Sequence, residues 1–293
     1  MSRNQDRFGI PEPSHESETA APFAMEGEEE SPDTPSFSWT TPTEFVTLPS
    51  GGDYYPEGHP LCGNTTIEIR YMTAKDEDIL TSPALLKEGV AIDRLLANIV
   101  VDKSININSL LVGDKNALII AARITGYGAD YTTNVTCPGC RTASEHSFEL
   151  TLDNEVYDNA PSLDKYNASQ TEDGTFVVQL PLTKAEVECR LLTGKDELKL
   201  MKESQRKAKR KMEEAPLTDQ LKTFIVSVQG DSNPLSVTSF VHAMPAKDSR
   251  YLRTFYSDIT PSVAMTQIFE CSSCGYSADM EVPLTADFFW PKR

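Results

Sequence analysis

Two Cys-x-x-Cys motifs constrain this chain more than any other feature: Cys137-Pro138-Gly139-Cys140 and Cys271-Ser272-Ser273-Cys274, with residues 141–270 between them. Two thiolates three residues apart on a tight turn supply one edge of the tetrahedron that zinc prefers. The second edge has to come from another turn that the fold brings close. Strand-like Tyr131-Thr132-Thr133-Asn134-Val135-Thr136 leads into the first motif, and Ser147-Phe148-Glu149-Leu150-Thr151-Leu152 leads away from it, as in a knuckle of a zinc ribbon. The expectation is one structural Zn2+ per chain, held by Cys137, Cys140, Cys271 and Cys274. With four thiolates no position stays open for water, so no catalysis at the metal is expected.

Other chemistry can use the same motifs. A thioredoxin-type redox pair sits at a helix N-terminus within a βαβ pattern, and neither motif here is followed by a helical pattern. Two disulfides would need an oxidising compartment. The N-terminus, Met1-Ser2-Arg3-Asn4-Gln5-Asp6, has no apolar stretch of the kind a secretory signal requires. An iron–sulfur cluster and two unrelated reduced pairs complete the alternatives. Cys62 and Cys189 lack a matching neighbour and read as ordinary thiols. His15, His59, His146 and His242 are scattered: His59 reads as a loop residue, and His146 is a runner-up ligand because it lies near one knuckle. No Ser/His/Asp or Cys/His constellation can be placed, and neither GxGxxG nor a Walker loop occurs. Gly126-Tyr127-Gly128 reads as a helix stop.

The spacing of the motifs is explained by a duplication. Glu68-Ile-Arg-Tyr-Met-Thr-Ala-Lys-Asp-Glu77 aligns with Glu188-Cys-Arg-Leu-Leu-Thr-Gly-Lys-Asp-Glu197 at an offset of 120 residues, and Glu, Arg, Thr, Lys, Asp and Glu coincide. Each copy reads as an alternating strand followed by a helix with a capping-box spacing, Thr73 to Asp76 and Thr193 to Asp196. Upstream, Pro60-Leu61 aligns with Pro181-Leu182. Downstream, Val135-Thr136 before the first knuckle aligns with Phe269-Glu270 before the second, at an offset of 134. Between these points Leu95, Leu96, Ile99 and Val100 share one face of a helix. A further helix is predicted to open at Asp114 and to stop at Gly126. In the second copy the helix from Lys195 is expected to overrun to Glu214, absorbing the 14-residue growth in offset.

The fold class expected is therefore α+β, with two tandem pseudo-symmetric repeats (strand hairpin, helices, zinc-knuckle hairpin) sharing one zinc-ribbon-like site. Residues 44–165 form repeat 1, and residues 166–293 form repeat 2 with the basic helix. Residues 1–43 differ in kind: six prolines, the acidic cluster Glu26, Glu28, Glu29 and Glu30, and single apolar residues without period. They are expected to be a disordered acidic tail, with too little apolar surface to offset chain entropy.

Charge and hydropathy narrow the function classes. With 44 acidic against 27 basic residues the net charge is −17, which argues against a general binder of the phosphate backbone, so nucleic acid is not an expected partner. The longest apolar run, Leu118 to Ala122, is far below the roughly 18 residues a membrane span needs. Between Lys195 and Glu214 there are eight Lys/Arg and five Asp/Glu without interleaved aromatics. That stretch reads as a solvated helix or as a docking arm for an acidic partner. Tyr54-Tyr55-Pro56 and Phe288-Phe289-Trp290-Pro291 are costly to leave in water, and core closure is expected of the latter.

Several ordered stretches together resemble a known family. They are Leu48-Pro-Ser-Gly-Gly-Asp-Tyr-Tyr-Pro-Glu-Gly-His59, Arg70-Tyr-Met-Thr-Ala-Lys-Asp-Glu-Asp-Ile-Leu-Thr-Ser82, Leu111-Val-Gly-Asp-Lys-Asn-Ala117, Gly126-Tyr-Gly128, Met244-Pro-Ala-Lys-Asp-Ser-Arg-Tyr251, and Phe269-Glu-Cys-Ser-Ser-Cys-Gly-Tyr276 with Phe288 to Pro291. From Phe45 to Pro291 the chain resembles the baseplate hub and assembly proteins of T-even-like, contractile-tailed bacteriophages. The resemblance implies a non-catalytic, late-expressed structural or assembly protein of the viral tail baseplate. It would be found in the virion, and in the host cytoplasm during assembly. Its implied partners are other phage tail and baseplate proteins and copies of itself. The metal reading rests on the residues of this chain. Against the structural baseplate function stand a zinc-ribbon nucleic-acid adaptor using the basic helix, and a thiol oxidoreductase using one Cys-x-x-Cys.

Overall fold

Alternation along Thr66-Ile67-Glu68-Ile69-Arg70 turns Ile67 and Ile69 into the interior and leaves the residues between them facing out. In the computed structural model this segment is strand β2 (Thr66–Arg70), paired antiparallel with β1 (Thr43–Thr47) so that Phe45 lies opposite Glu68. The structure describes residues 40–151, 163–213, 215–263, 265–283 and 288–289. The expected tail up to Trp39 lies outside the described residues, as do Leu152, Glu214, Trp290 and Pro291 from the segments above.

Beyond β2 come α1 (Ala74–Thr81), α2 (Pro83–Glu88), α3 (Ala91–Ile99), a 3-10 turn at Ile107–Ser109, and α4 (Val112–Tyr127). A hairpin of β3 (Asp130–Thr136) and β4 (Ala143–Glu149) follows. The chain continues through α5 (Leu163–Tyr166), β5 (Ser169–Gln170), β6 (Phe176–Gln179), β7 (Glu186–Cys189), α6 (Gly194–Lys209), α7 (Pro216–Phe224) and β8 (Ile225–Val228). It closes with α8 (Pro234–Ala243), α9 (Ala246–Ile259) and the hairpin β9 (Thr266–Glu270) with β10 (Ser277–Glu281). Strands β5-β6-β7-β8 form one antiparallel sheet, and the other described strands pair two by two. Helix and strand are thus mixed, as expected.

One apolar cluster runs through the unit Thr41–Arg293. The face predicted for α3 holds: Leu95, Leu96 and Ile99 are buried, with Val100 directly after them. Phe288 and Phe289 are buried too, so this part of the aromatic terminal stretch closes the core as expected.

Two helix boundaries differ from expectation. Helix α4 starts at Val112 with Leu111 at its cap, because Asp114 sits in the first turn, buried, and faces away toward another segment. Its carboxylate accepts from the Ser50 N–H at 3.0 Å, the Ser50 hydroxyl at 2.7 Å and the Tyr55 hydroxyl at 2.6 Å. The helix stops at Gly128 (φ +86), whose N–H donates to the Ile124 carbonyl at 2.9 Å. Gly126 lies inside the helix against Met72, whose Sδ an added Cβ would meet at 2.9 Å. Helix α6 ends at Lys209, short of the expected overrun, and Lys211 turns left-handed at φ 53.

Several contacts recur in the two halves. Arg70 grips Asp76 with two bonds (2.7 and 2.9 Å), and Arg190 grips Asp196 likewise (2.7 and 2.8 Å). Each aspartate accepts from the backbone N–H of the threonine three residues back, Thr73 at 2.8 Å and Thr193 at 3.0 Å. Ile69 bridges Val100 as Cys189 bridges Ile225. Asp248, in the first turn of α9, binds the Thr183 N–H and hydroxyl as Asp114 binds those of Ser50. Pro49 stands one residue before Ser50, and Pro181 two residues before Thr183. The offset steps from 120 at Arg70/Arg190 to 125 at Val100/Ile225 and 134 at Asp114/Asp248.

Candidate metal centre

Both Cys-x-x-Cys motifs occupy hairpin turns, and the two turns close in the same way. Arg141 N–H donates to the Cys137 carbonyl at 2.9 Å and Gly275 N–H to the Cys271 carbonyl at 2.9 Å. The Cys137 N–H reaches the Thr142 carbonyl at 3.0 Å, and the Cys271 N–H reaches the Tyr276 carbonyl at 2.8 Å. The residue after the second cysteine is left-handed in each turn, Arg141 at φ 60 and Gly275 at φ 70. Such a turn aims both sulfurs to one side, as a thiolate chelate needs.

The fold brings all four predicted sulfurs together. Their Sγ atoms lie within 4.8 Å of one another, Cys137 and Cys271 buried, Cys140 and Cys274 at the surface. Across the hairpins, Cys137 Sγ stands 3.7 Å from Cys274 Sγ, and Cys140 Sγ 3.7 Å from Cys271 Sγ. A disulfide needs about 2.05 Å, so these pairs are not bonded. A tetrahedron of sulfurs about 2.3 Å from a central zinc has edges of about 3.8 Å, which these two cross-hairpin separations match. The donor set therefore fits a divalent, thiophilic cation. Gly139 N–H also donates to Cys137 Sγ at 3.3 Å.

Electrostatics at the cluster are uneven. Bonds from the Thr142 hydroxyl and N–H lower the Cys140 thiol to about 6. Cys274 is helped by the Tyr276 N–H, yet its three thiol neighbours push it up to about 12. Crowded thiolates repel one another, and a bound dication would remove that repulsion.

Contacts outside the sulfurs hold the hairpins in place. The Gln267 side chain spans both: Glu149 N–H donates to its Oε1 at 3.2 Å, and its Nε2 donates to the Glu149 carbonyl. Gly139 packs on the Tyr276 ring, where an added Cβ would come within 3.1 Å. His146, the runner-up ligand, is not in the sulfur cluster. Its ring packs edge-on against Phe148 and Phe269, centroids 4.6 and 5.2 Å away, and so joins one hairpin to the other. Sequence reasoning missed Gln267 and Tyr276, since neither belongs to a metal motif. Of the remaining thiols, Cys62 is exposed, and burial pushes buried Cys189 far above the ordinary thiol range. Neither Cys-x-x-Cys lies at a helix N-terminus, the position a redox pair uses. Among the described residues no helix is long and apolar enough to cross a membrane.

No curated protein and no solved structure matches the chain. A family model described as T4 bacteriophage base plate protein matches residues 41–290, spanning both halves and both knuckles. With most of its length covered, the chain belongs to the T4 bacteriophage base plate protein family.

Proposed function

We propose that this chain is a non-catalytic structural or assembly protein of the phage tail baseplate, in its hub region, whose architecture is clamped by one structural zinc. Residues 44–165 and 166–293 would be two copies of one unit, each donating a knuckle to a shared site of Cys137, Cys140, Cys271 and Cys274. The observation that carries the metal reading is the pair of 3.7 Å cross-hairpin sulfur contacts inside a cluster no wider than 4.8 Å. Family membership supports the baseplate role and implies tail proteins as partners. The duplication is supported by the matched Arg–Asp grips, the matched aspartates on Ser50 and Thr183, and the matched left-handed knuckle residues.

A shared clamp has a simple physical consequence. Two cysteines fill half a tetrahedron, so neither knuckle holds the ion alone, and binding is coupled to the docking of the hairpins. Metal analysis of purified protein tests it. One zinc per chain, lost equally in Cys137→Ser/Cys140→Ser and in Cys271→Ser/Cys274→Ser, is expected. Two metals per chain, or retention in one double variant, would sink the shared site. The baseplate role is tested separately, by whether the chain is found in purified tails or only in assembly intermediates.

A further inference from the structure

Helix α6 carries a cationic stripe. At 3.6 residues per turn, Lys195, Lys199, Lys202, Arg206 and Lys209 recur at a four-three-four-three spacing, within an arc of about 80° and over about 21 Å of axis. All five are exposed. Among the described residues none of the five is in an ion pair, whereas the neighbouring charges are used internally. Asp196 is held by Arg190, Glu197 by Lys115, and Lys207 by Asp219. On a chain of net charge −17, these unpartnered cations are a local reversal of sign.

Beside the stripe runs an apolar groove. A concavity of 480 Å³ separates α6 from α2, α3 and α4, with Leu86, Ala91, Ile92, Ile119, Leu198 and Met201 on its walls beside Asn116 and the ion-paired Asp93, Lys115 and Glu197. A shallower one of 340 Å³ follows Lys195, Lys199, Lys202 and Arg206 along the helix, with Glu203 the one acidic residue among them, and Leu198 lines both concavities, so groove and stripe are continuous. Leu86 keeps 45% of its surface exposed at the groove edge. A purely charged surface would suit any polyanion. A groove lined mainly by apolar side chains, its own charges paired internally, and with one cationic rim suits an amphipathic helix, apolar on one face and acidic along the adjoining edge.

We propose that this groove is a docking site for an amphipathic, acidic-edged helix of a neighbouring tail protein. The apolar face lies on Leu86, Ile92, Leu198 and Met201, and carboxylates at the same four-three-four-three spacing meet the stripe. Charge complementarity favours a protein over nucleic acid, because the rest of the surface repels a long polyphosphate and no aromatic offers a base a stacking platform on the stripe. The site depends on family membership only for the kind of partner. It does not depend on the metal, and absence of zinc would leave it standing.

The test uses the full chain and a labelled synthetic helical peptide, with Glu at that spacing and Leu on the adjoining face. Binding is followed by fluorescence anisotropy at low and high salt. Saturable, salt-sensitive binding is expected, weakened roughly tenfold or more by Lys199→Glu/Lys202→Glu/Arg206→Glu and also by Leu198→Ala/Met201→Ala. Both variants should keep the parent melting temperature within a few degrees, which separates lost docking from lost folding. Equal binding of a peptide with the same residues scrambled, or tighter binding of duplex DNA, would overturn the proposal. So would self-association of the full chain that the peptide blocks, because the groove would then belong to a second copy.

Discussion

Arg123 donates its Nε–H to the carbonyl of Phe288 at 2.7 Å, tying the middle of α4 to a residue 165 positions later. The same guanidinium donates to the carbonyls of Gly128 at 2.7 Å and Asp130 at 2.9 Å, and it is 2% exposed. Its bonds go to main-chain oxygens at the end of α4 and the start of β3, so one buried cation fixes the helix stop, the knuckle hairpin and the terminal aromatics. Phe288 in turn stacks edge-on against Tyr131, at 5.1 Å between centroids.

Replacement of Arg123 should therefore be costly in a distinctive way. Lysine keeps the charge but cannot reach three carbonyls in a planar fork. Arg123→Lys is expected to lower stability by about 2–4 kcal/mol, since carbonyls are left without donors in the interior. Urea denaturation measures the loss. Limited proteolysis should also cut near Phe288 earlier than in the parent. An unchanged cleavage pattern would mean that Phe288 is held by its ring contacts and not by Arg123.

The two aspartates in equivalent first turns should respond unequally to amidation. Asp248 accepts backbone N–H groups on both oxygens, from Leu182 and from Thr183, each at 2.9 Å. An amide offers one acceptor, so Asp248→Asn turns an NH2 toward a backbone N–H and should cost about 2–3 kcal/mol. Asp114 meets one N–H, and its other oxygen meets only the hydroxyls of Ser50 and Tyr55. Hydroxyls can rotate to accept, so Asp114→Asn should cost about 1 kcal/mol. The shifts agree. Burial dominates at Asp114 and raises its carboxyl, whereas at Asp248 burial is outweighed by the bonds from Thr183 and Leu182, which lower it. Thermal melts of the two single variants, compared at one pH, decide it, and equal losses would be the wrong result.

How much of this was legible in the sequence varies with chemistry. The knuckles could be read because a thiolate pair at fixed spacing has few uses, and the capping boxes because Thr and Asp three apart bond locally. The Asp114 and Asp248 networks could not. Both are polar residues whose partners lie 64 and 65 positions away, at Ser50 and Thr183, and no periodicity marks such a pairing. A difference in loop length between two of the strand hairpins also carries no mark in the sequence. Residues 48–65 join β1 to β2, whereas residues 180–185 join β6 to β7. Tyr55 and His59, stacked at 4.5 Å in the longer loop, help fill the space the extra residues need.

Acid should weaken the fold through the two matched grips. Burial alone would raise the Asp76 and Asp196 carboxyls, but bonds from Arg70 and Thr73 hold the first well below the usual carboxylate range. Those from Arg190 and Thr193 hold the second at about 2. A carboxyl depressed by folding contributes stability above its unfolded value near 4, and that contribution is lost as pH falls through the folded value. Stability should thus decline between about pH 4 and pH 2. Asp114, raised by burial, works in the opposite sense and weakens the fold as pH climbs past its ordinary value. Asp76→Asn/Asp196→Asn should be less stable at neutral pH and show a shallower decline below pH 4. The same acid slope in the double variant would show that other carboxylates carry it.

The knuckles themselves offer a paired test, because they solve one backbone problem with different residues. Arg141 and Gly275 both follow the second cysteine of their motif, at φ 60 and 70. A side chain is strained there, since Cβ crowds the following carbonyl by roughly 1–2 kcal/mol, whereas glycine is not. Arg141→Gly should consequently stabilise the first knuckle by about 0.5–1 kcal/mol, the relief of strain exceeding the entropy a glycine loses on folding. Gly275→Ala should do the reverse at the second knuckle. Nothing lies within 4 Å of a Cβ built there, so the cost is backbone strain and not a clash. On the proposed shared site the sulfurs converge only when both turns hold their shape, so the changes should also shift metal retention against a competing chelator. Arg141→Gly is expected to release the ion more slowly than the parent, and Gly275→Ala faster. If both variants release it at the parental rate, the left-handed residue shapes the turn without bearing on the metal, and the coupling of hairpin geometry to ligation is wrong.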